Sequence, residues 1–137
     1  MESTAITRSA IVRVVIVEDS PIVRVRLKAL LHTDVPHAEV VGEVEEAQMA
    51  IRLIQDTCPD VVILDLQLAG GSGFEVLRAV KRAAHAPVVI VLTNLTSSEY
   101  QTTCLEAGAE FFLDKSFGFD QLAKTIQTLS LRIGKST

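Results

Sequence analysis

Five polar side chains lie one or two residues after the ends of short apolar runs, in which valine and isoleucine are common. In chain order they are Glu18, Asp19, Asp65, Thr93 and Lys115. If the runs form parallel strands of one sheet, their carboxyl ends share one edge, and these side chains converge there. The sequence therefore offers three carboxylates, one hydroxyl and one ammonium group for a single crevice.

This combination of groups suits phosphoryl transfer assisted by a divalent cation. Neighbouring carboxylates repel one another, and a hard cation relieves that repulsion. The four charged groups carry a formal net charge of −2, which one Mg²⁺ neutralises. Mg²⁺ commonly takes one or two carboxylates with water and phosphate oxygens, which leaves Asp65 free to attack phosphorus. Lys115 and the Thr93 hydroxyl are suited to hold the phosphoryl oxygens.

Each of these residues also has an ordinary structural explanation. An aspartate after a strand often forms a turn or caps a helix, and an exposed lysine is usually only solvated. Glu18 and Asp19 precede Ser20 and Pro21, so they also suit the positive end of a following helix. We favour the functional interpretation because four separate strand ends supply one coherent site, although structural charge networks imitate such sites.

Short apolar runs alternate with segments of helical period along the whole chain. The runs are Ile11–Val17, Val40–Val44, Val61–Leu64, Val88–Leu92 and Phe111–Leu113. Continuous apolar runs of this length are typical of strands buried on both faces. Strand followed by helix, five times, predicts an α/β fold: a flavodoxin-like, doubly wound (βα)5 domain with a five-stranded parallel sheet in the order 2-1-3-4-5.

The helical segments differ in how well their inward faces are marked. Ser20 followed by Pro21 predicts the start of the first helix, with the serine as N-cap. The fourth segment has only Tyr100, Cys104 and a few small residues on its inward stripe. We therefore expect the fourth helix to be the most loosely packed. The end of the second strand, around Glu43, contributes nothing evident to the crevice.

Composition limits the classes of function. The chain has 137 residues, of which 48% are hydrophobic, and a formal net charge of −4. This composition predicts one globular domain without the basic footprint of a nucleic-acid-binding protein.

Cys58 and Cys104 lack the spacing of a metal site, and we expect both to be half-buried. The sequence has neither a secretory signal nor an apolar run long enough for a membrane span, so we expect a cytoplasmic protein without membrane contact.

The chain resembles the receiver domain of bacterial two-component response regulators over residues 11–133. The resemblance rests on the acidic pair, the strand-end Asp65, Thr93 and Lys115. Gly73 has the offset from Asp65 that the family shows, and the 22-residue step from Thr93 to Lys115 fits as well. We accordingly expect an N-terminal extension at 1–10, a receiver domain at 11–133 and a C-terminal tail at 134–137.

The resemblance implies specific roles at the crevice. Asp65 would accept a phosphoryl group from a sensor histidine kinase or a phosphotransfer protein, so the chain would be a signalling domain rather than an enzyme. Asp19, Asp65 and the backbone carbonyl of Gln67 would bind Mg²⁺, and Glu18 would act through water. Thr93 and Phe112 would be the switch pair. Their movement would change a surface formed by helix 4, strand 5 and helix 5, which would bind a downstream protein, and a homodimer is compatible with this scheme.

Several positions depart from the family pattern. Ala69 and Ser116 stand where proline is common; without proline a cis Lys115–Ser116 peptide bond costs about 3 kcal/mol, so its geometry stays open. Asn94 follows Thr93 where a smaller residue is usual, and we expect it to narrow access to Asp65. Phe112 lacks the hydroxyl of a tyrosine switch.

Two other classes of α/β protein fit these residues less well than a receiver does. A haloacid-dehalogenase-type phosphatase would need an acid two residues after the nucleophile, where this chain has Gln67. A flavodoxin would find its phosphate repelled by Glu18 and Asp19. A stand-alone receiver is our expectation. A receiver excised from a longer regulator, with a separate output domain such as a DNA-binding one, and a non-phosphorylated pseudo-receiver are the alternatives.

Overall fold

The structure, a computed structural model, describes residues 11–135. Strands and helices alternate along the chain. The strands are β1 (Val12–Val17), β2 (Ala38–Val44), β3 (Val61–Leu64), β4 (Val88–Thr93) and β5 (Phe111–Asp114). The helices are α1 (Pro21–Asp34), α2 (Ala47–Thr57), α3 (Gly73–Lys81), α4 (Ser98–Glu106) and α5 (Phe119–Lys135). Four of the five predicted runs lie within a residue of the strand bounds, and β2 begins two residues before the predicted one.

The five strands form one parallel sheet in the order β2-β1-β3-β4-β5, which confirms the predicted fold class. The strand order reverses between β1 and β3, where crevices form in such sheets. Val17 of β1 pairs with Leu64 of β3. Glu18 and Asp65, the next residues along, therefore leave the sheet side by side.

Helices cover both faces of the sheet and enclose two apolar layers. Val15 and Val17 face the layer beneath α2, α3 and α4, whereas Val14 and Ile16 face α1 and α5. Every residue of β3 is buried, as expected for a continuous apolar run covered on both faces. The site thus stands on a rigid sheet packed from both sides.

The weakest packing is at α4, as the sequence predicts. Cys104 is the only residue of this helix that is buried. The prediction for the two cysteines is wrong, because Cys104 is fully buried while Cys58 is exposed. Cys58 follows the last residue of α2 in the left-handed conformation, with φ of 47°, so it is not part of the buried face of that helix. Among residues 11–135, no helix has both the length and the apolar character that crossing a bilayer needs.

Candidate functional site

The loop between β1 and α1 fixes the first carboxylate. Glu18 is 2% exposed, and its amide donates to the carbonyl of Val44 on β2 at 2.9 Å. Its Oε2 accepts a hydrogen bond from the Ser20 amide at 2.9 Å. Ser20 in turn caps α1, because its Oγ accepts from the Val23 amide at 3.3 Å, and Pro21 is the first helical residue, as predicted. The start of α1 therefore holds Glu18 in place.

Asp65 lies next to Glu18 at the end of β3 and is 4% exposed. Its amide donates to Val17 at 3.0 Å, and its Oδ1 accepts from the Gln67 amide at 3.2 Å. Gly73 packs directly behind it: a Cβ at position 73 would lie 2.2 Å from the Asp65 carbonyl oxygen. Gly73 is the first residue of α3, so it belongs to the helix and not to a flexible loop. The absence of a side chain there lets α3 start against the backbone of Asp65.

Lys115 joins the two carboxylates. Its Nζ lies 2.8 Å from Glu18 Oε1 and 2.8 Å from Asp65 Oδ2. Its amide donates to the Thr93 carbonyl at 2.9 Å, which ties the end of β5 to β4. One ammonium group thus bridges the two strand ends on either side of the crevice.

The protonation of this cluster is set by burial and pairing. Burial raises the pKa of Glu18, although the hydrogen bonds from Lys115 and from the Ser20 amide act in the opposite direction. Burial alone would lower the pKa of Lys115, but its hydrogen bonds to Asp65 and Glu18 outweigh that effect and raise it. Lys115 therefore stays a cation between these two carboxyl groups.

The donor set fits a hard divalent cation. Glu18, Asp19 and Asp65 each place a carboxylate oxygen within 4.8 Å of the other two. Oxygen ligands of this kind are those that Mg²⁺ prefers. Lys115 offsets only one of the three negative charges, so a cation would relieve the remaining repulsion. The amide of Gln67 contacts Asp65, and a ligand role for the Gln67 carbonyl stays a prediction.

Thr93 and Phe112 lie on the neighbouring strands β4 and β5. Thr93 is fully buried at the end of β4, and its Oγ1 accepts a hydrogen bond from the Leu95 amide at 3.2 Å. Phe112 pairs with Val91 in the sheet and is half-buried against the layer beneath α2, α3 and α4. Their roles as a switch pair stay predictions. Asn94 is exposed, and the described residues hold no cis peptide bond, so Lys115–Ser116 is trans.

Sequence reasoning missed two residues that support the site. Arg24 donates from Nη1 to the carbonyl of Glu18 at 2.8 Å, and its Nε lies 3.1 Å from Glu43 Oε1. The end of β2, which was expected to add nothing, therefore reaches the site through Glu43. No spacing signal marks such a contact, because Arg24 recognises a backbone oxygen that only the folded loop presents.

Comparison with known proteins decides the family. The family model described as the response regulator receiver domain matches residues 14–127. The chain belongs to this family. As a receiver domain it shares 38% identity over 106 residues with a protein-glutamate methylesterase/protein-glutamine glutaminase of Syntrophus aciditrophicus, covering 76% of the chain and 30% of that protein. It shares 32% identity over 119 residues with the transcriptional regulatory protein LiaR of Bacillus subtilis, covering 87% of the chain and 56% of LiaR.

Solved receiver structures agree with the fold. A LuxR-family two-component response regulator from Aurantimonas sp. SI85-9A1 superposes with a TM-score of 0.79 at 32% identity, covering 87% of this chain and 84% of that one. The response regulator domain of Thermotoga maritima CheB superposes with a TM-score of 0.77 at 26% identity, covering 91% and 97%. The chain spans 30% of the length of the methylesterase/glutaminase and 56% of the length of LiaR.

Proposed function

We propose that Asp65 accepts a phosphoryl group from a sensor histidine kinase or a phosphotransfer protein. The observation that carries this proposal is the contact of Lys115 with both Asp65 and Glu18 in a buried, acidic crevice. A carboxylate oxygen of Asp65 attacks phosphorus as the bond from phosphorus to the donor's imidazole nitrogen breaks, and the imidazole keeps the electron pair. The chain is thus a phosphoacceptor that signals, with hydrolysis of its own acyl phosphate as the reset.

The other residues of the crevice orient and neutralise the transferred group. Mg²⁺, bound by Asp19, Asp65 and the Gln67 carbonyl with Glu18 acting through water, would supply charge neutralisation for the phosphoryl oxygens. Lys115 exchanges its contact with Asp65 Oδ2 for a phosphoryl oxygen. Thr93 turns its hydroxyl from the Leu95 amide to a second phosphoryl oxygen. Phosphorylation thereby changes the hydrogen bonding at the end of β4.

Exposed apolar residues beside the crevice support a docking position for the phosphodonor. We call Ile22, Val25 and Phe117 the docking patch; they are 73%, 61% and 82% exposed. Phe117 lies two residues from Lys115. The Arg26 guanidinium lies 4.3 Å from the centre of the Phe119 ring, which joins the first residue of α5 to α1. An apolar rim around a charged crevice is the surface on which a donor protein can exclude water.

The output is proposed to be protein contact through the face formed by α4, β5 and α5. Tyr100 and Leu105 on α4 are 38% and 44% exposed. Movement of Thr93 would be transmitted to α4 through the residues 94–97 that join them, while Phe112 on β5 would change its packing. A homodimer through this face is one form that such contact can take, and no direct nucleic-acid contact is proposed for this domain.

A receiver attached to a separate output domain is the second candidate. The specific observation in its favour is that the relatives it matches are longer, and that one of them is called a transcriptional regulatory protein. The intact mass of the protein isolated from its native cells distinguishes the two forms. A mass well above 14.9 kDa would favour the longer regulator over a stand-alone receiver.

The acceptor role is tested by intact-protein mass spectrometry after incubation with acetyl phosphate and Mg²⁺. We expect one hydroxylamine-sensitive phosphoryl adduct that is lost in Asp65→Asn and in the presence of a chelator. Asp56→Asn, on the exposed face of α2, is the matched control and keeps the adduct. If acetyl phosphate and the cognate kinase both left the protein unmodified while Mg²⁺ bound, the chain would be a pseudo-receiver.

A further inference from the structure

Arg24, at the start of α1, contacts the backbone of the acidic pair and not its carboxylates. Its Nη1 lies 2.8 Å from the Glu18 carbonyl oxygen, and its side chain is only 18% exposed. That oxygen belongs to the peptide unit that joins Glu18 to Asp19. The orientation of this peptide unit sets the direction in which the Asp19 side chain leaves the backbone. Because Asp19 is a predicted metal ligand, the contact from Arg24 orients that ligand.

Glu43 on β2 holds the guanidinium in this orientation. Its Oε1 pairs with Arg24 Nε at 3.1 Å, and its Oε2 pairs with Lys28 Nζ at 2.7 Å. The hydrogen bond from Lys28 is the main reason that the pKa of Glu43 is lowered, so Glu43 remains an anion. Glu43 is aligned with Ile16 of β1 in the sheet. The guanidinium is therefore braced against the same sheet from which the acidic pair extends.

The other contacts of this loop leave Asp19 dependent on that peptide unit. The Glu18 amide is fixed by Val44, and its carboxylate is fixed by the Ser20 amide and Lys115. Within residues 11–135, the hydrogen bonds and ion pairs of the site include none to the Asp19 side chain. Arg24 thus completes the set of contacts that orient the loop before a cation arrives.

We propose that Arg24 is a positioning residue that holds the Glu18–Asp19 peptide unit so that three carboxylates face one divalent cation. This proposal deepens the proposed function and rests on its premise that the crevice binds such a cation. Groups that orient metal ligands without touching the metal commonly change metal affinity by ten- to a hundredfold.

The direction of the change in Mg²⁺ affinity distinguishes a positioning role of Arg24 from the effect of its positive charge. A guanidinium near a cation site repels the cation, so removal of its charge alone would tighten Mg²⁺ binding. Loss of a positioning contact would weaken binding, because the metal must then order the loop itself. The two explanations therefore predict opposite changes in the Mg²⁺ dissociation constant.

The test is a calorimetric Mg²⁺ titration of the full chain, without a phosphodonor, for wild type and three variants. We expect Arg24→Met to raise the Mg²⁺ dissociation constant about tenfold. Glu43→Ala, which removes the brace but leaves the arginine, should raise it by a smaller factor. Arg52→Met removes one positive charge from an exposed position on α2 and should leave it unchanged. Unchanged or tighter binding in Arg24→Met would overturn the proposal.

A second measurement reports on the loop itself. In metal-free protein, Arg24→Met should shift the backbone amide resonances of Asp19 and Ser20, with Arg52→Met again as control. If Arg24→Met does not fold, Glu43→Ala carries both measurements, since its side chain lies on an edge strand. Weaker Mg²⁺ binding without a change at Asp19 would contradict positioning.

Phosphorylation by acetyl phosphate at saturating Mg²⁺ distinguishes this proposal from the proposed function. Arg52→Met, which lies outside the site, should then match wild type, and the Mg²⁺ titrations alone decide the role of Arg24. If wild type bound Mg²⁺ but accepted no phosphoryl group, only the proposed function would be refuted. The Mg²⁺ dissociation constants of wild type and Arg24→Met would still decide the role of Arg24. Wild type without Mg²⁺ affinity would overturn both.

Discussion

Helices α3 and α4 have the same length and similar starts, but they are held very differently. Each has nine residues and a serine as N-cap. Four residues of α3 are buried, namely Gly73, Val76, Leu77 and Val80, whereas α4 buries only Cys104. Since most helical stability in proteins comes from packing of the apolar face, α3 should be much the more firmly fixed.

The ends of the two helices differ in the same direction. Ser72 and Glu75 form a reciprocal capping box at the start of α3, and Arg78 and Lys81 stand in its last turn. Ser97 caps α4 through one hydrogen bond to the Tyr100 amide at 3.3 Å, and no basic residue lies in its last turn. The helix dipole is therefore complemented at both ends of α3 and only at the start of α4.

This difference corresponds to what each helix adjoins. The first residue of α3 packs against the backbone of Asp65, so a shift of α3 would displace Asp65. α4 follows Thr93 after a short loop and presents partly exposed apolar residues. A weakly anchored helix beside Thr93 can move at small cost, and this suits the output face that we propose.

The largest expected contrast concerns the thiol that anchors α4. Burial raises the pKa of Cys104 to about 11, so roughly one thiol in a thousand is ionised at pH 8. Because thiolate is the reactive form and burial also shields the sulfur from the reagent, iodoacetamide should modify exposed Cys58 more than about a hundredfold faster than Cys104. The Cys104 rate should rise about tenfold per pH unit. Peptide mass spectrometry over a time course measures both, and equal rates would mean that α4 is detached.

The next contrast is in packing energy. Leu77→Ala in α3 should lower the free energy of unfolding by about 3 kcal/mol, because it opens a cavity in a fully buried position. Leu105→Ala removes the same side chain from the exposed face of α4 and should cost less than about 1 kcal/mol. Urea unfolding monitored by circular dichroism gives both values, and similar losses would erase the distinction between the helices.

Helix capping should give a smaller difference. Ser72→Ala removes a hydrogen bond of the capping box and should cost about 1.5 kcal/mol, whereas Ser97→Ala should cost about 0.7 kcal/mol. The same unfolding assay applies to both variants. A larger loss for Ser97→Ala would show that α4 depends on its cap more than α3 does, against the order proposed here.

The smallest effect is a gain in stability. Glu106→Lys places a positive charge in the last turn of α4, where none is present, and should stabilise the protein by about 0.5 kcal/mol. Glu106→Gln, which only removes the unfavourable charge, should give about half of this. Thermal unfolding at low and high salt tests the origin of the gain, which added salt should diminish.

The sequence predicted the parts of this molecule that depend on local pattern. The valine and isoleucine runs locate β1 and β3, and the parallel order then brings Glu18 beside Asp65. The poor apolar stripe around Cys104 predicts the weak packing of α4. These inferences succeed because burial on two faces leaves a continuous signal in the chain.

Other parts depend on contacts that no local pattern encodes. Arg24 contacts a carbonyl oxygen, and every residue has one, so its partner is visible only after β2 and the loop after β1 are assembled. Cys58 is exposed and lies beyond the end of α2 in a left-handed conformation that its own sequence does not announce. The offset of Gly73 from Asp65 matches the family pattern, but the reason for glycine there, the approach of α3 to the Asp65 backbone, is visible only in the fold.

The exposed ring of Phe117 offers a way to observe docking as it happens. The chain contains no tryptophan, so Phe117→Trp would introduce a single tryptophan, which can be excited selectively, at the rim of the crevice. An indole that is largely in water emits at longer wavelength than one covered by a partner. Its spectrum would therefore follow the arrival and departure of a phosphodonor in a stopped-flow instrument, with the native chain itself dark at the same wavelengths.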